Sequence, residues 1–157
     1  MSTIPTFQHV AVTVSDRERS LRFYTEALGF EADHTKAGND DAFPELSRLL
    51  GVPGIDSVTE DLANGHQKLE MVFFRNPEAR TSTGRAGHDQ VGLSHLCFYV
   101  EDMAKAEEKI EECGGEIVSE SKVAHDKPDG VAREYLMCTD PDGVRLLLYT
   151  GAPRLKV

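Results

Sequence analysis

The sequence predicts an α+β fold in which two tandem βαβββ modules form a curled mixed sheet around a cleft. Three observations lead to this prediction: two amphipathic strands that each carry a histidine, a helix after each strand, and one constant spacing between the two halves. One helix followed by several short strands in each half is typical of the α+β class.

The first strand–helix unit begins at residues 7–14, where β-branched residues alternate with small and polar ones. This alternation predicts a strand with its valines on one face and with His9 and Thr13 on the other. A serine and an aspartate follow as a helix N-cap signal. Apolar residues at helical spacing then predict a helix over 17–27, which Gly29 ends.

The same arrangement returns at residues 93–100, where His95 and Tyr99 share one face of a second predicted strand. An acidic pair follows, and a helix over about 103–113 ends at two glycines. The differences 95 − 9, 102 − 16 and 115 − 29 each equal 86, so one spacing relates strand histidine, capping aspartate and terminal glycine. This regularity indicates a duplicated unit.

Three antiparallel strands are expected after each helix. They cover about 30–35, 55–62 and 67–74 in the first half, and about 115–119, 131–138 and 144–150 in the second. Asp140–Pro–Asp–Gly143 predicts a tight turn before the last strand. Residues 36–54, with a helical turn near 44–50, and residues 75–90 look inserted.

The chain is therefore expected to form a single domain over residues 1–157. Module one is expected at about 5–76, a linker at about 77–91 and module two at about 92–151. Its length suits one compact core, and 39% hydrophobic residues are enough to fold it.

Charge and cysteine content restrict the expected partners and compartment. The formal net charge of −10 would repel nucleic acids and anionic membranes, so a small-molecule substrate is expected instead. No secretion signal is visible, and no apolar run approaches the roughly 20 residues of a membrane helix. Three widely spaced cysteines outside any CxxC motif argue against a disulfide framework, so a cytoplasmic location is expected.

These features together resemble the vicinal oxygen chelate superfamily. The resemblance rests on a histidine in the first strand of each module, on Phe23–Tyr24 followed by Leu28–Gly29, and on the Asp140–Gly143 turn. The superfamily includes glyoxalase I, methylmalonyl-CoA epimerase, extradiol dioxygenases, fosfomycin-resistance transferases and bleomycin-binding proteins. The pattern is most similar to that of single-domain, glyoxalase I-like members, and it covers nearly the whole chain.

The resemblance implies a metal site, because glyoxalase-like members take ligands from the first and fourth strands of each module. The matching positions here are His9, Glu70 and His95, which suit a divalent zinc, nickel, iron, cobalt or manganese ion. Members with a metal commonly carry a glutamate four residues after the turn glycine, where this chain has Leu147. A buried salt bridge with Arg133 or Arg145 is the alternative interpretation of Glu70.

The general base of such a site is expected to be Glu70 or Glu134. The hairpin at Asp140–Gly143 is expected to pair Leu136 with Leu147 and Glu134 with Tyr149, which would direct Glu134 toward the cleft as a base or a distant fourth ligand. The side chains expected to contact substrate or fill the cleft are Thr13, Tyr99, Leu147 and Tyr149. Three further histidines in loop-like sequence are expected at the surface: His66, His88 and His125.

Three functions agree with this pattern. The first is a metal-dependent lyase or isomerase of the glyoxalase or epimerase type, which stabilises an enediolate or enolate. The second is a non-haem Fe(II) dioxygenase that uses His9, Glu70 and His95. The third is a metal-free protein that binds an antibiotic-like small molecule, which the leucine at position 147 favours. The resemblance also implies a homodimer.

Overall fold

The computed structural model describes residues 5–80, 87–126 and 131–151. The first module has the predicted βαβββ order, with one short extra helix. Its elements are strand β1 (Val10–Val14), helix α1 (Arg17–Arg22) continuing as π-helical turns over Phe23–Ala27, strand β2 (Glu31–Gly38), helix α2 (Leu46–Leu50), strand β3 (Asp56–Asn64) and strand β4 (Gln67–Asn76). Helix α2 lies where the sequence predicts a helical turn.

The second module repeats this order. Its elements are strand β5 (Leu96–Tyr99), helix α3 (Met103–Glu112), and strands β6 (Glu116–Asp126), β7 (Ala132–Thr139) and β8 (Arg145–Tyr149). Strand β6 is longer than predicted because its pairing with β7 shifts between Val118 and Val123 and then resumes. The Ser121 hydroxyl bridges the irregularity: it donates to the Val118 carbonyl at 2.6 Å and accepts from the Met137 amide at 2.8 Å.

Each module forms one four-stranded mixed sheet with the same topology. The strand orders are β1-β4-β3-β2 and β5-β8-β7-β6. The first and fourth strands of each module pair in parallel, and the remaining neighbours pair antiparallel. The α+β class and the duplicated βαβββ modules are thus confirmed, and the first and fourth strands of each module lie side by side.

The chain divides into two compact units. The first contains the described residues up to Arg17 together with Gly29–Arg80, and the second contains Glu18–Leu28 together with the described residues after Arg80. Most of helix α1 therefore belongs to the unit that holds the second sheet. The domain and linker boundaries expected from the sequence stay predictions.

The core of the first unit lies on one face of its sheet. Burial alternates along β1 as expected, and Val12 and Val14 are its buried residues. Glu60 is also buried there, with only 2% of its surface exposed. It forms an ion pair with Arg17 and accepts a 2.7 Å hydrogen bond from the Thr35 hydroxyl, so its charge is compensated inside the fold.

The second unit packs both helices against its sheet. Its largest buried side chains include Phe23, Tyr24, Ile110, Leu136, Leu146 and Leu148. Gly115 allows this packing, because a Cβ atom there would lie 2.6 Å from the Thr139 carbonyl oxygen and 2.7 Å from the Phe23 ring. The left-handed residue that ends α3 is instead Gly114, with φ of 86°.

The Asp140–Gly143 turn joins the helix to the sheet within this unit. One carboxylate oxygen of buried Asp140 accepts from the amides of Asp142 (2.9 Å) and Val144 (2.7 Å), and the other accepts from the Tyr24 hydroxyl (2.9 Å). Burial raises the pKa of Asp140, and burial also raises that of Tyr24. The turn motif is therefore an internal anchor of the fold as well as a chain reversal.

Among the described residues, every helix is too short or too polar to cross a membrane.

Candidate metal and substrate site

The first unit brings together two of the sequence-predicted site residues. Strands β1 and β4 pair in parallel with Ala11 opposite Glu70, and His9 lies two residues before Ala11. The imidazole and carboxylate consequently meet, with 3.3 Å between His9 Nε2 and Glu70 Oε2. Both side chains are partly exposed, at 42% and 27%. The pair is therefore accessible to a ligand from solvent.

The same face of this sheet carries Thr13. Thr13 pairs with Val72 on the parallel strand β4, lies two residues beyond Ala11 and is exposed. Because residues two apart on a strand share a face, its hydroxyl lies on the face of the His9–Glu70 pair. Its role in binding a substrate stays a prediction.

A lysine and an aspartate that the sequence analysis did not select complete this cluster. Lys36 forms an ion pair with Asp61, and its Nζ also lies 3.8 Å from Glu70 Oε1. Asp61 stands opposite Glu70 in the β3–β4 pairing. One Glu70 oxygen thus faces His9 and the other faces Lys36, within the first unit.

Asp61 depends on this lysine. Its Oδ1 atom is buried and has no hydrogen-bond partner among the described residues. The Asp61 hydrogen bond is the main cause that raises the pKa of Lys36, so the ammonium stays charged at neutral pH. Lys36 therefore neutralises two carboxylates on one sheet face.

Replacing Lys36 with methionine is expected to lower the free energy of unfolding by about 1 kcal/mol, a modest value because half of the lysine side chain is exposed. The loss arises because Asp61 and Glu70 become neighbouring carboxylates without a shared cation. Urea unfolding measures the change. Lys68→Met is the matched control, since Lys68 faces Asp33 at 3.6 Å with both side chains about half exposed. Equal stability of the two variants would contradict the prediction.

The second unit carries His95 directly before strand β5. Parallel pairing places Cys97 opposite Leu147 and Tyr99 opposite Tyr149. Residues two apart share a face, so these side chains extend from His95 along one face of the sheet. The structure thus places His95, Tyr99, Leu147 and Tyr149 along one face of the second sheet, and their roles in a site stay predictions.

Aromatic rings dominate the far end of this face. The Tyr99 and Tyr149 rings meet edge to face with centroids 5.7 Å apart, and the Tyr135 ring stacks on Tyr149 at 6.2 Å. Tyr135 was not selected from the sequence, because the predicted register put it on the opposite face. Tyr99 is exposed, whereas Tyr149 is buried with 6% of its surface accessible, so Tyr99 is the ring of this group most open to a planar or apolar ligand.

The predicted register of the last hairpin is wrong by one residue. Tyr135, not Glu134, pairs with Tyr149, and Leu136 pairs with Leu148. Glu134 therefore lies on the face that Leu136 buries, and its amide and carbonyl bond to Thr150. The argument for Glu134 as a base or a fourth ligand is lost with this correction.

His95 has two polar neighbours in its own unit. The Ser94 hydroxyl lies 3.1 Å from His95 Nδ1 and 3.3 Å from His88 Nδ1. The rings of His88 and His95 meet edge to face with centroids 6.2 Å apart. His88 is exposed, as the sequence predicts, but it also contacts the group that holds His95. The sequence signal for this contact is the serine directly before the strand histidine.

Comparison with known families identifies the superfamily. A model of the Glyoxalase/Bleomycin resistance protein/Dioxygenase superfamily matches residues 6–148. The chain belongs to this superfamily. The match spans both modules, so membership rests on the duplicated architecture as a whole.

Relatives within the superfamily are distant. The chain is 29% identical over 144 residues to a lactoylglutathione lyase of Pseudomonas aeruginosa, which covers 87% of this chain and 77% of the relative. It is 26% identical over 146 residues to the uncharacterised protein YwkD of Bacillus subtilis, which covers 93% and 97%. A glyoxalase family protein from Bacillus cereus has the same fold, with a TM-score of 0.77 at 16% identity over 98% and 99% of the chains.

The glyoxalase superfamily includes metal-dependent enzymes, and the donor atoms of the first-unit pair have a spacing that suits one divalent ion. A nitrogen and an oxygen that bind one ion at about 2.1 Å, with an angle of about 90–110°, lie roughly 3.0–3.4 Å apart. The 3.3 Å between His9 Nε2 and Glu70 Oε2 falls in this range. Within the described parts of the chain, no three His, Cys, Asp or Glu side chains lie together in a way that could hold a metal ion, so the His9–Glu70 pair supplies two of the donors that such a site needs.

Proposed function

We propose that this protein is a metal-dependent lyase or isomerase of the glyoxalase or epimerase type. The observation that carries the proposal is the pair of His9 and Glu70, whose donor atoms lie 3.3 Å apart on neighbouring first and fourth strands. Membership of the glyoxalase superfamily and the similarity to a lactoylglutathione lyase support the same reaction class. The substrate would be a small molecule with two neighbouring oxygens.

The proposed ligands are His9 and Glu70 from the first unit and His95 from the second. Two neutral imidazoles and one carboxylate suit zinc, nickel, iron, cobalt or manganese. The bound ion would supply Lewis acidity toward the two substrate oxygens and thereby acidify the neighbouring C–H bond. The leucine at position 147 offers no donor, so three protein ligands leave open positions for substrate or water.

Proton transfer is assigned to Glu70. Its Oε2 atom faces His9, while Oε1 faces the Lys36 ammonium at 3.8 Å. Oε1 would take the proton from the acidified carbon and return it to the neighbouring carbon, so that no net proton is consumed. The positive charge on Lys36 would favour an anionic intermediate held on this face.

The second sheet supplies the proposed substrate wall. Tyr99 would offer a hydroxyl group and a ring face, supported by edge-to-face contact with the buried Tyr149 ring, and Leu147 would offer an apolar contact beside them. Thr13 would add a hydroxyl from the first unit. A second copy of the chain is the proposed partner, in a homodimer.

A second candidate function is sequestration of a planar small molecule without chemistry. The tyrosine cluster and the leucine at position 147 favour it, because aromatic and apolar surface binds such ligands without a metal. This candidate predicts ligand binding that survives His9→Ala and His95→Ala.

Elemental analysis of the purified protein distinguishes the metal-dependent lyase or isomerase from the metal-free binding protein. The lyase proposal predicts about one divalent ion per chain in the wild type, and loss of it in His95→Ala and in His9→Ala. His66→Ala is the control, since His66 is an exposed turn histidine of the first unit. Turnover of lactoylglutathione, named in the Pseudomonas relative, would support the lyase. A wild type that stays metal-free after supplementation would reject it, and oxygen-dependent activity with bound iron would favour a dioxygenase instead.

A further inference from the structure

We infer that Ser94, supported by His88, is the positioning residue that fixes the tautomer of His95 and so prepares its Nε2 atom to bind a cation. The inference rests on the proposed metal-binding role of His95. It concerns two side chains that neither the sequence pattern nor the superfamily match selects. They lie in the connection before strand β5 and directly adjoin the predicted ligand.

The Ser94 hydroxyl contacts two imidazole rings. One hydroxyl oxygen lies within hydrogen-bonding distance of two imidazole nitrogens, 3.1 Å from His95 Nδ1 and 3.3 Å from His88 Nδ1. Both rings therefore use the same type of nitrogen on the same oxygen. Their Nε2 atoms remain directed away from the serine, because the two nitrogens of an imidazole lie on different sides of the ring.

The number of protons on Ser94 limits the hydrogen bonds that it can donate to the two rings. A serine hydroxyl has one proton and two lone pairs, so it can donate to one imidazole at most. At least one of the two Nδ1 atoms must then carry a proton and donate to Ser94. We assign this proton to His95, which has the shorter of the two contacts. A neutral His95 with Nδ1–H presents an unprotonated Nε2, which is the form that coordinates metal.

The Ser94–His95 contact resembles the hydrogen bond that usually supports a metal-binding histidine. Metal-binding histidines in proteins usually donate their second nitrogen to an oxygen, which fixes ring orientation and raises ligand basicity. The Ser94 hydroxyl would serve as that oxygen for His95. The His88 ring packs edge to face on His95 with centroids 6.2 Å apart, and its Nδ1 also contacts the hydroxyl, so it would restrain the serine rotamer.

The Ser94–His95 contact would matter more in this chain than in a relative whose metal has four protein ligands. Leu147 removes the donor expected from the last strand, so each remaining ligand must supply more of the binding free energy. A histidine in the wrong tautomer must first exchange its proton between ring nitrogens, which lowers the apparent affinity. Fixing the tautomer in advance avoids that cost.

The test reads the tautomer directly in metal-free protein. Long-range ¹H–¹⁵N spectra of ¹⁵N-histidine-labelled wild type, recorded where imidazole is neutral, are expected to show His95 with its proton on Nδ1. Ser94→Ala is expected to move it mostly to Nε2, and Ser94→Thr, which keeps the hydroxyl, is expected to restore Nδ1–H. Ser119→Ala is the control for exposed serine removal and is expected to change nothing.

Cobalt titration gives the second readout. Ser94→Ala is expected to weaken Co²⁺ binding about 10- to 100-fold, the range typical of lost outer-shell hydrogen bonds, with Ser94→Thr close to wild type. His88→Ala should weaken Co²⁺ binding less than Ser94→Ala does, but more than the control His66→Ala does. A wild-type His95 with its proton on Nε2, a tautomer that Ser94→Ala leaves unchanged, or unaltered Co²⁺ affinity in Ser94→Ala would each overturn the inference.

Failure of the proposed function gives a different result. If the wild type binds no metal, His95→Ala and Ser94→Ala are equally metal-free, and the proposed function falls. The tautomer spectra still decide whether Ser94 holds Nδ1–H of His95 in that case. If the wild type binds metal and His95→Ala releases it while the Ser94 variants do not differ, only the inference falls.

Discussion

Glu70→Gln is expected to lower turnover by about 10³-fold and to reduce bound metal well below one ion per chain. Glutamine keeps the shape of the side chain but removes the negative charge, and the carboxylate beside His9 is both the proposed anionic ligand and the proposed base. Lewis-acid stabilisation of several kcal/mol corresponds to about 10²–10⁴ in rate, so losing it dominates any change in substrate binding. Steady-state kinetics and elemental analysis of the same preparations measure both effects.

The control for this prediction is Glu31→Gln, an exposed glutamate on β2 of the same unit. It should keep wild-type metal content and turnover. Thermal unfolding separates loss of the site from loss of the fold, because Glu70 is partly exposed and its neutralisation leaves Lys36 paired with Asp61. A Glu70→Gln protein with normal metal content and normal turnover would contradict both assigned roles.

The convergence of His9 and Glu70 was predictable because two kinds of information agreed. Alternation along residues 7–14 and 67–74 identifies the strands and the faces on which each side chain lies. The resemblance to a known topology supplies the missing step, that first and fourth strands are neighbours, which periodicity alone does not determine. The observed pairing of Ala11 with Glu70 follows from both.

The position of Glu134 was not predictable, because register depends on the number of residues in the loop. A four-residue turn at 140–143 puts residue 134 opposite residue 149. The structure closes the loop through the Asp140 amide and the Val144 carbonyl at 3.0 Å, so five residues separate the paired Thr139 and Arg145. One extra loop residue moves every side chain of β7 to the other face.

The polar neighbours of the site escaped prediction for a related reason. Lys36 lies in a segment that looked inserted, but strand β2 continues through it and brings the ammonium to Asp61. His88 lies in a loop whose path no periodic pattern specifies. Contacts made by connections between strands depend on the folded path of the chain, which alternation and spacing do not encode.

Asp140→Ala is expected to have the largest effect on stability, lowering the free energy of unfolding by about 3–5 kcal/mol. The substitution leaves the buried Tyr24 hydroxyl and the amides of Asp142 and Val144 without their acceptor, and each unpaired group costs about 1–3 kcal/mol. For a chain of this size the loss corresponds to a decrease in Tm of about 10 °C. Calorimetry or urea unfolding measures it.

Asp140→Asn is the matched variant, and it tests the pH dependence. Asparagine retains an acceptor for the two amides and can donate to Tyr24, so most of the stability should remain. Burial raises the pKa of Asp140 above its usual 3.8, so the folded state binds more protons than the unfolded state between those two pKa values. Stability from this group therefore falls as pH rises through that window.

The unfolding free energy of the wild type minus that of Asp140→Asn should accordingly be largest below pH 4 and should decline toward neutral pH. The substituted amide cannot ionise. The other acidic groups, which dominate acid unfolding, are the same in both proteins, so their contributions cancel in the difference. Urea titrations at several pH values measure it. A difference that grows with pH would mean that hydrogen bonds from Tyr24 and the turn amides outweigh burial, and that the buried carboxylate stabilises the fold through its charge.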